Sequence, residues 1–205
     1  MSSKLLTFAK DPTSYIAPSW GELAKLAFEV AKKIIADKRK FDRLVTLSKG
    51  GWSMTCSLVD LLQIPLVASL GVKFYTGIDE RLEKPTVYQD LPKDVKGQRV
   101  LLFDDVADTG RSLVFAKDYL ARMKVKSVTT ATLYYKPHSE YKPDYFAAET
   151  SAWILFPYDV RGTIRTLGAK WGKTSIAQTE MKRRFKQCGI DEEWIDYFLK
   201  LEVKT

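Results

Sequence analysis

Apolar positions along the chain recur in two rhythms. Leu23, Leu26, Ala27, Val30, Ile34 and Ile35 share one face of a 3.6-residue repeat. Ser19 and Glu22 form a capping box ahead of that stripe, so a helix opens there. Short apolar or β-branched runs predict strands at Arg43–Leu47, Leu66–Tyr75, Val100–Phe103 and Ser127–Tyr135, with a further apolar run at Trp153–Phe156. The turn Ser48-Lys49-Gly50-Gly51 leads into a second helix reaching about Leu62, and Pro65 ends it. Thr76–Thr86 is polar and bounded by Gly77 and Pro85, which predicts a loop. Leu113, Val114, Ala116 and Leu120 mark a third helix. From about Gly162 the pattern changes, and Ser175–Lys186 and Asp191–Leu201 predict two helices joined at Gly189. Strands alternating with helices imply an α/β fold with a largely parallel sheet, in which ligands bind at the carboxyl ends of strands.

One stretch carries chemistry of its own. Val100-Leu101-Leu102-Phe103 leads to the adjacent carboxylates Asp104 and Asp105, and Asp108 opens the turn Asp108-Thr109-Gly110-Arg111-Ser112 before the third helix. Backbone N–H groups at a helix N-terminus suit an anion such as a phosphate. The acidic pair beside them can accept hydrogen bonds from a diol or hold a metal–sugar complex. Asp108-Thr109-Gly110 alone also matches the catalytic triplet of aspartic proteases, but those are all-β, and a helical segment follows here. Receiver-like α/β domains explain an acidic pair at a strand tip, though not the Thr-Gly-Arg-Ser turn.

The composition is that of an ordinary soluble protein, with 45% hydrophobic and 28% charged residues over 205 positions. That length fits one domain with a small appendage. No apolar run approaches the roughly 20 residues that cross a bilayer. The amino-terminal stretch has no secretory core, and Cys56 and Cys188 have no CxxC spacing, so both are expected to be buried free thiols. A cytoplasmic location is expected. The net charge of +8 fits either a nucleic acid or a polyanionic small substrate.

Val100–Leu113 resembles the 5-phosphoribosyl-1-pyrophosphate (PRPP) motif of type I phosphoribosyltransferases: a hydrophobic strand, two acids, two mostly apolar residues, a residue that varies with the base, then Thr-Gly. In members acting on 6-oxopurines the varying residue is Asp, as Asp108 is here. The resemblance implies that Ala107, Asp108, Thr109, Gly110, Arg111 and Ser112 bind the 5-phosphate. It gives Asp104 and Asp105 the ribose hydroxyls and Mg²⁺, and Asp108 purine N7 as general base or hydrogen-bond acceptor. Ser48-Lys49-Gly50 resembles the pyrophosphate loop of 6-oxopurine members, where the first peptide is commonly cis. By residue type alone, two glycines after a strand are most often a tight turn. Lys136 with Trp153, Ile154 and Asp159 resembles the base-recognition hood of bacterial xanthine–guanine members. There a lysine donates to purine O6, a tryptophan stacks, the next carbonyl meets the 2-substituent, and an aspartate follows six residues later. Asp159 joins Asp104 and Asp105 as an implied metal ligand. By residue type alone, Lys136 reads as a solvated lysine and Trp153 as core. Thr76–Thr86 stands where the family has its lid and lacks the Ser-Tyr pair found there. Arg161 is given no role.

The expectation is therefore a type I phosphoribosyltransferase fold over residues 1–160, with a small hood, and a basic helical extension over 161–205. The implied reaction transfers 5-phosphoribose from PRPP to N9 of hypoxanthine, guanine or xanthine in purine salvage, in a homodimer or homotetramer with no stable nucleic-acid partner and no membrane. The alternatives are an RNA-binding regulatory protein on the same fold, or an adenine phosphoribosyltransferase, which Asp108 and Lys136 disfavour.

Overall fold

The computed structural model describes residues 4–75 and 84–202, and these form two compact units, one of residues 24–75 with 84–151 and one of residues 4–23 with 152–202. The expected boundary at 160/161 thus falls inside the second of them.

The larger unit is built on a six-stranded sheet in the order β5-β4-β3-β6-β7-β8. Its strands are β3 (Arg43–Ser48), β4 (Leu66–Tyr75), β5 (Lys84–Gln89), β6 (Arg99–Ala107), β7 (Ser127–Tyr135) and β8 (Tyr145–Glu149). All neighbours are parallel except β5, which runs antiparallel to β4. Helices α2 (Trp52–Leu62) and α3 (Arg111–Arg122) connect β3 to β4 and β6 to β7. The central strands are covered on both faces, which is why β6 begins as an unbroken apolar run. Val100 and Leu102 pack with Leu113, Ala116 and Leu120 of α3, while Leu101 and Phe103, of opposite parity, are equally buried. Helix α1 (Trp20–Ala36) opens on its capping box: Glu22 N–H donates to Ser19 Oγ at 3.2 Å, and Ser19 N–H donates to Glu22 Oε2 at 2.8 Å.

In the second unit, β1 (Leu6–Phe8) pairs antiparallel with β2 (Asp11–Ile16), and β2 pairs parallel with β9 (Trp153–Ile154). Helices α4 (Val160–Lys173), α5 (Gln178–Gln187) and α6 (Glu192–Glu202) supply Ile164, Leu167, Trp171, Phe185, Ile195 and Leu199 to a core shared with Phe8 and Tyr15. Asp11 is buried there with a 1% exposed side chain. It accepts bonds from Tyr15 Oη at 2.6 Å, Lys170 Nζ at 2.7 Å, Trp171 Nε1 at 2.7 Å and Thr13 N–H at 3.0 Å. Burial pushes its carboxyl up, but the bonds from Lys170, Tyr15 and Trp171 outweigh it, and the group lies well below the usual carboxylate range.

Several elements differ from expectation. Strand β6 runs four residues beyond Phe103, so Asp104 and Asp105 lie inside the ladder rather than past its end, opposite β7 through Asp104↔Thr132 and Val106↔Tyr134. Residues 76–83 of the expected loop lie outside the described residues, and Lys84–Thr86 belong to β5. Pro85 is tolerated because β5 is an edge strand. The weakly patterned β1, β2 and β8 were not expected, nor was α4, whose Gly162, Gly168 and Gly172 each cost a helix about 1 kcal/mol against alanine. Cys188 is buried, with its thiol pushed up to about 12 by burial, but Cys56 on α2 is exposed, contrary to expectation.

Removing the Asp11 carboxylate leaves Tyr15, Trp171 and Lys170 without their common acceptor. Asp11→Ala should destabilise the protein by about 3 kcal/mol in denaturant unfolding. Because the folded carboxyl is depressed, its contribution is complete above the unfolded value near 4 and fades as pH falls through the folded one. The gap between wild type and variant should therefore narrow in acid.

Candidate active site

The polar loops of the larger unit meet at the carboxyl ends of β3, β6 and β7. After β6, Gly110 adopts φ +81°, and a Cβ there would stand 2.6 Å from Ser139 Oγ and 2.8 Å from Tyr141 N, so both conformation and space demand glycine. Glu140 N–H donates to Thr109 O at 3.0 Å, which ties the turn to the segment following β7. Gly110, the N-cap of α3, brings no side chain to that helix end. Arg111 N–H meets Thr109 Oγ1 at 3.4 Å at the start of the helix whose first turn carries amides suited to an anion. Arg111 pairs with Glu140 at 3.7 Å; both side chains are at least half exposed, so the pair adds little stability.

Asp104 and Asp105 sit side by side where β6 meets the β3–α2 loop. Asp105 N–H donates to Asp104 Oδ1 at 2.9 Å, and Val106 N–H donates to Asp105 Oδ1 at 2.7 Å. The loop lies directly on them: a Cβ at Gly50 would run into the Asp105 carboxylate, and one at Gly51 would stand 2.9 Å from Phe103 O. The Ser48–Lys49 peptide is cis, the conformation that the resemblance implies. Beside it, Ser69 Oγ meets Ser48 Oγ at 2.8 Å and accepts from Trp52 Nε1 at 2.7 Å. Burial raises the Asp104 carboxyl well above its ordinary value, and the charge of Asp105 adds to that; the Asp105 and Gly51 amides oppose it without cancelling it.

The register of β6 with β7 completes the site. Ala107 stands opposite Tyr135, and Lys136 N–H donates to Ala107 O at 3.0 Å. Lys136 Nζ therefore reaches Asp108 Oδ1 at 3.3 Å, with its side chain only 12% exposed, a partnered lysine rather than a solvated one. His138 Nε2 meets the same oxygen at 3.0 Å. His138 was not among the expected residues, although it is the chain's only histidine and follows Lys136-Pro137 directly.

Of the residues expected at the site, Ser48, Lys49, Gly50, Asp104, Asp105, Ala107–Ser112 and Lys136 share this end of one sheet. Trp153, Ile154 and Asp159 belong to the other unit. There Trp153 is 50% exposed on β9, so it is not a core residue, while Ile154 is buried opposite Ile16. Asp159 is the N-cap of α4, and its carboxylate lies where a Cβ of Gly162 would be.

A family model described as a phosphoribosyl transferase domain matches residues 19–161. The chain belongs to the phosphoribosyltransferase family. A purine phosphoribosyltransferase structure from Pyrococcus horikoshii is 31% identical, covers 70% of this chain and 93% of its own, and superposes with a TM-score of 0.64. A xanthine-guanine phosphoribosyltransferase of Idiomarina loihiensis is 27% identical over 69% of this chain and 85% of its own length. One from Desulfotalea psychrophila is 29% identical over 69% and 84%. Helices α5 and α6 lie outside the family match.

The crowded carboxyls imply a trade between stability and function. With a folded carboxyl raised above its unfolded value near 4, the metal-free protein loses stability as pH rises through the interval between the two. Asp104→Asn abolishes that loss. Thermal unfolding without divalent cations should show the variant more stable at pH 7, by about 1 kcal/mol, and the advantage should vanish in acid.

Proposed function

We propose that this phosphoribosyltransferase moves the 5-phosphoribosyl group of PRPP onto N9 of a 6-oxopurine, forming a nucleoside monophosphate and releasing pyrophosphate in purine salvage. The observation that carries the reading is the packing of Gly50 against Asp105, which brings the Ser48–Gly50 loop onto the acidic pair at the end of β6, the strand from which the Asp108 turn follows.

The roles follow from chemistry. The turn Ala107–Ser112 binds the 5-phosphate through backbone N–H groups and hydroxyls. The Ser48–Gly50 loop presents backbone to the pyrophosphate, and only glycine allows that approach. Asp104 and Asp105 accept hydrogen bonds from the ribose 2- and 3-hydroxyls. Two carboxylates suit Mg²⁺, which is commonly held by one or two carboxylates together with substrate oxygens and water; burial raises Asp104 first and the charge of Asp105 adds to it, and a cation there would relieve that second part. Asp104 and Asp105 would hold the ion, with Asp159 assigned as a further ligand, and Mg²⁺ would supply positive charge against the pyrophosphate group. Asp108 accepts at purine N7, raising the nucleophilicity of N9. Lys136 donates to O6, where a 6-amino group would leave the ammonium facing a donor. Trp153 offers an exposed aromatic face for stacking, and the Ile154 carbonyl meets the 2-substituent. Catalysis and base recognition are assigned to residues 1–160, and 161–205 to an accessory extension, in a cytoplasmic homodimer or homotetramer. No helix among the described residues is long and apolar enough to cross a membrane.

Incubation with PRPP, Mg²⁺ and each purine base in turn, following pyrophosphate release, tests the reading directly. Release with hypoxanthine, guanine or xanthine but not adenine is expected, and no release with any base would overturn it. Asp108→Asn should keep PRPP affinity and lower turnover by roughly 10²–10⁴. Lys136→Ala should raise KM for the 6-oxopurine about tenfold or more with KM for PRPP unchanged; an equal rise for both substrates would reduce Lys136 to a structural role.

A further inference from the structure

Asp108 carries an uneven load. Its Oδ1 receives both Lys136 Nζ at 3.3 Å and His138 Nε2 at 3.0 Å. Both contacts are made to that one oxygen. An ionised carboxylate only accepts, so Nε2 of His138 carries the hydrogen. Both donors come from one turn. Ser139 N–H donates to Lys136 O at 2.9 Å, closing a β-turn with Pro137 at its second position and His138 at its third. Lys136 N–H to Ala107 O and Glu140 N–H to Thr109 O, each 3.0 Å, clamp that turn on both sides to the segment bearing Asp108. The imidazole is held by its backbone rather than by packing, since its side chain is 58% exposed. A role in core stability is therefore minor.

The terminal torsion of an aspartate is broad, so donors decide where its oxygens point. If Lys136 turns to the purine O6, its contact with Oδ1, already the longer of the two, is the one given up. We propose that His138 is a positioning residue for Asp108: it keeps Oδ1 when Lys136 moves to the base, so that Oδ2 stays aimed at the purine imidazole edge. This role rests on the reading that Asp108 meets N7. It also gives a reason for two donors converging on one oxygen.

The test compares His138→Phe and His138→Gln under saturating PRPP and guanine. The phenylalanine variant should lose about tenfold in kcat, the scale of a misaligned reacting group, with KM for PRPP unchanged. The glutamine variant, which retains an N–H donor, should recover most of the loss. Wild-type kcat in His138→Phe would overturn the role, as would equal losses in both variants with a lowered melting temperature, the mark of a structural residue. The protein's lone histidine permits a readout independent of turnover: nitrogen-15 spectra at pH 9 should show the Nε2–H tautomer, and a predominant Nδ1–H form would refute the contact. A wild-type protein inactive on every 6-oxopurine would remove the underlying reading as well. Active wild type with an indifferent His138→Phe would remove this role alone.

Discussion

The site depends on one close approach, that of a glycine backbone to a pair of carboxylates. Asp104 and Asp105 are embedded in the ladder between β6 and β7, where burial and mutual repulsion lift the Asp104 carboxyl. The β3–α2 loop must then come down on them without a side chain, because Gly50 has Asp105 where a Cβ would be and Gly51 has the backbone of β6. A strand end that crowds two carboxylates in this way costs folding stability.

Sheet register carries the arrangement from the acids to the base side. In the β6–β7 pairing, Ala107 faces Tyr135, so the residue after β7 emerges beside the turn after β6. A slip of one residue would send Lys136 to the opposite face of the sheet. The buried apolar residues on both faces of β6 hold that register against slippage, so hydrophobic packing in the middle of the sheet is what aligns the polar groups at its end.

The fold was legible wherever a strand or helix had to be strongly apolar. β4 and β7 lie where the sequence places them, and α1 starts on its capping box, because both faces of the central sheet and one face of α1 are buried. Edge elements were not legible: β5 contains Pro85 and faces water, β8 is short, and α4 is diluted by glycines. At the site, the acids, the Thr-Gly turn and Lys136 could be read from spacing and resemblance. His138 could not, because its meaning lies in a turn that folds back on Asp108, a contact across 30 residues that no local pattern encodes. Trp153, read by residue type as core, is exposed because β9 is only two residues long and turns that side chain outward.

The second unit combines segments that lie before and after the larger unit in sequence. Asp11 meets Trp171 across a separation of 160 residues. On a ribosome, the β1–β2 hairpin is made before the six-stranded sheet and the helices that enclose it after that sheet, so the carboxylate of Asp11 stays hydrated until the sheet carrying the acidic pair has had time to form. The order of synthesis thus places assembly of the sheet ahead of closure of the terminal unit.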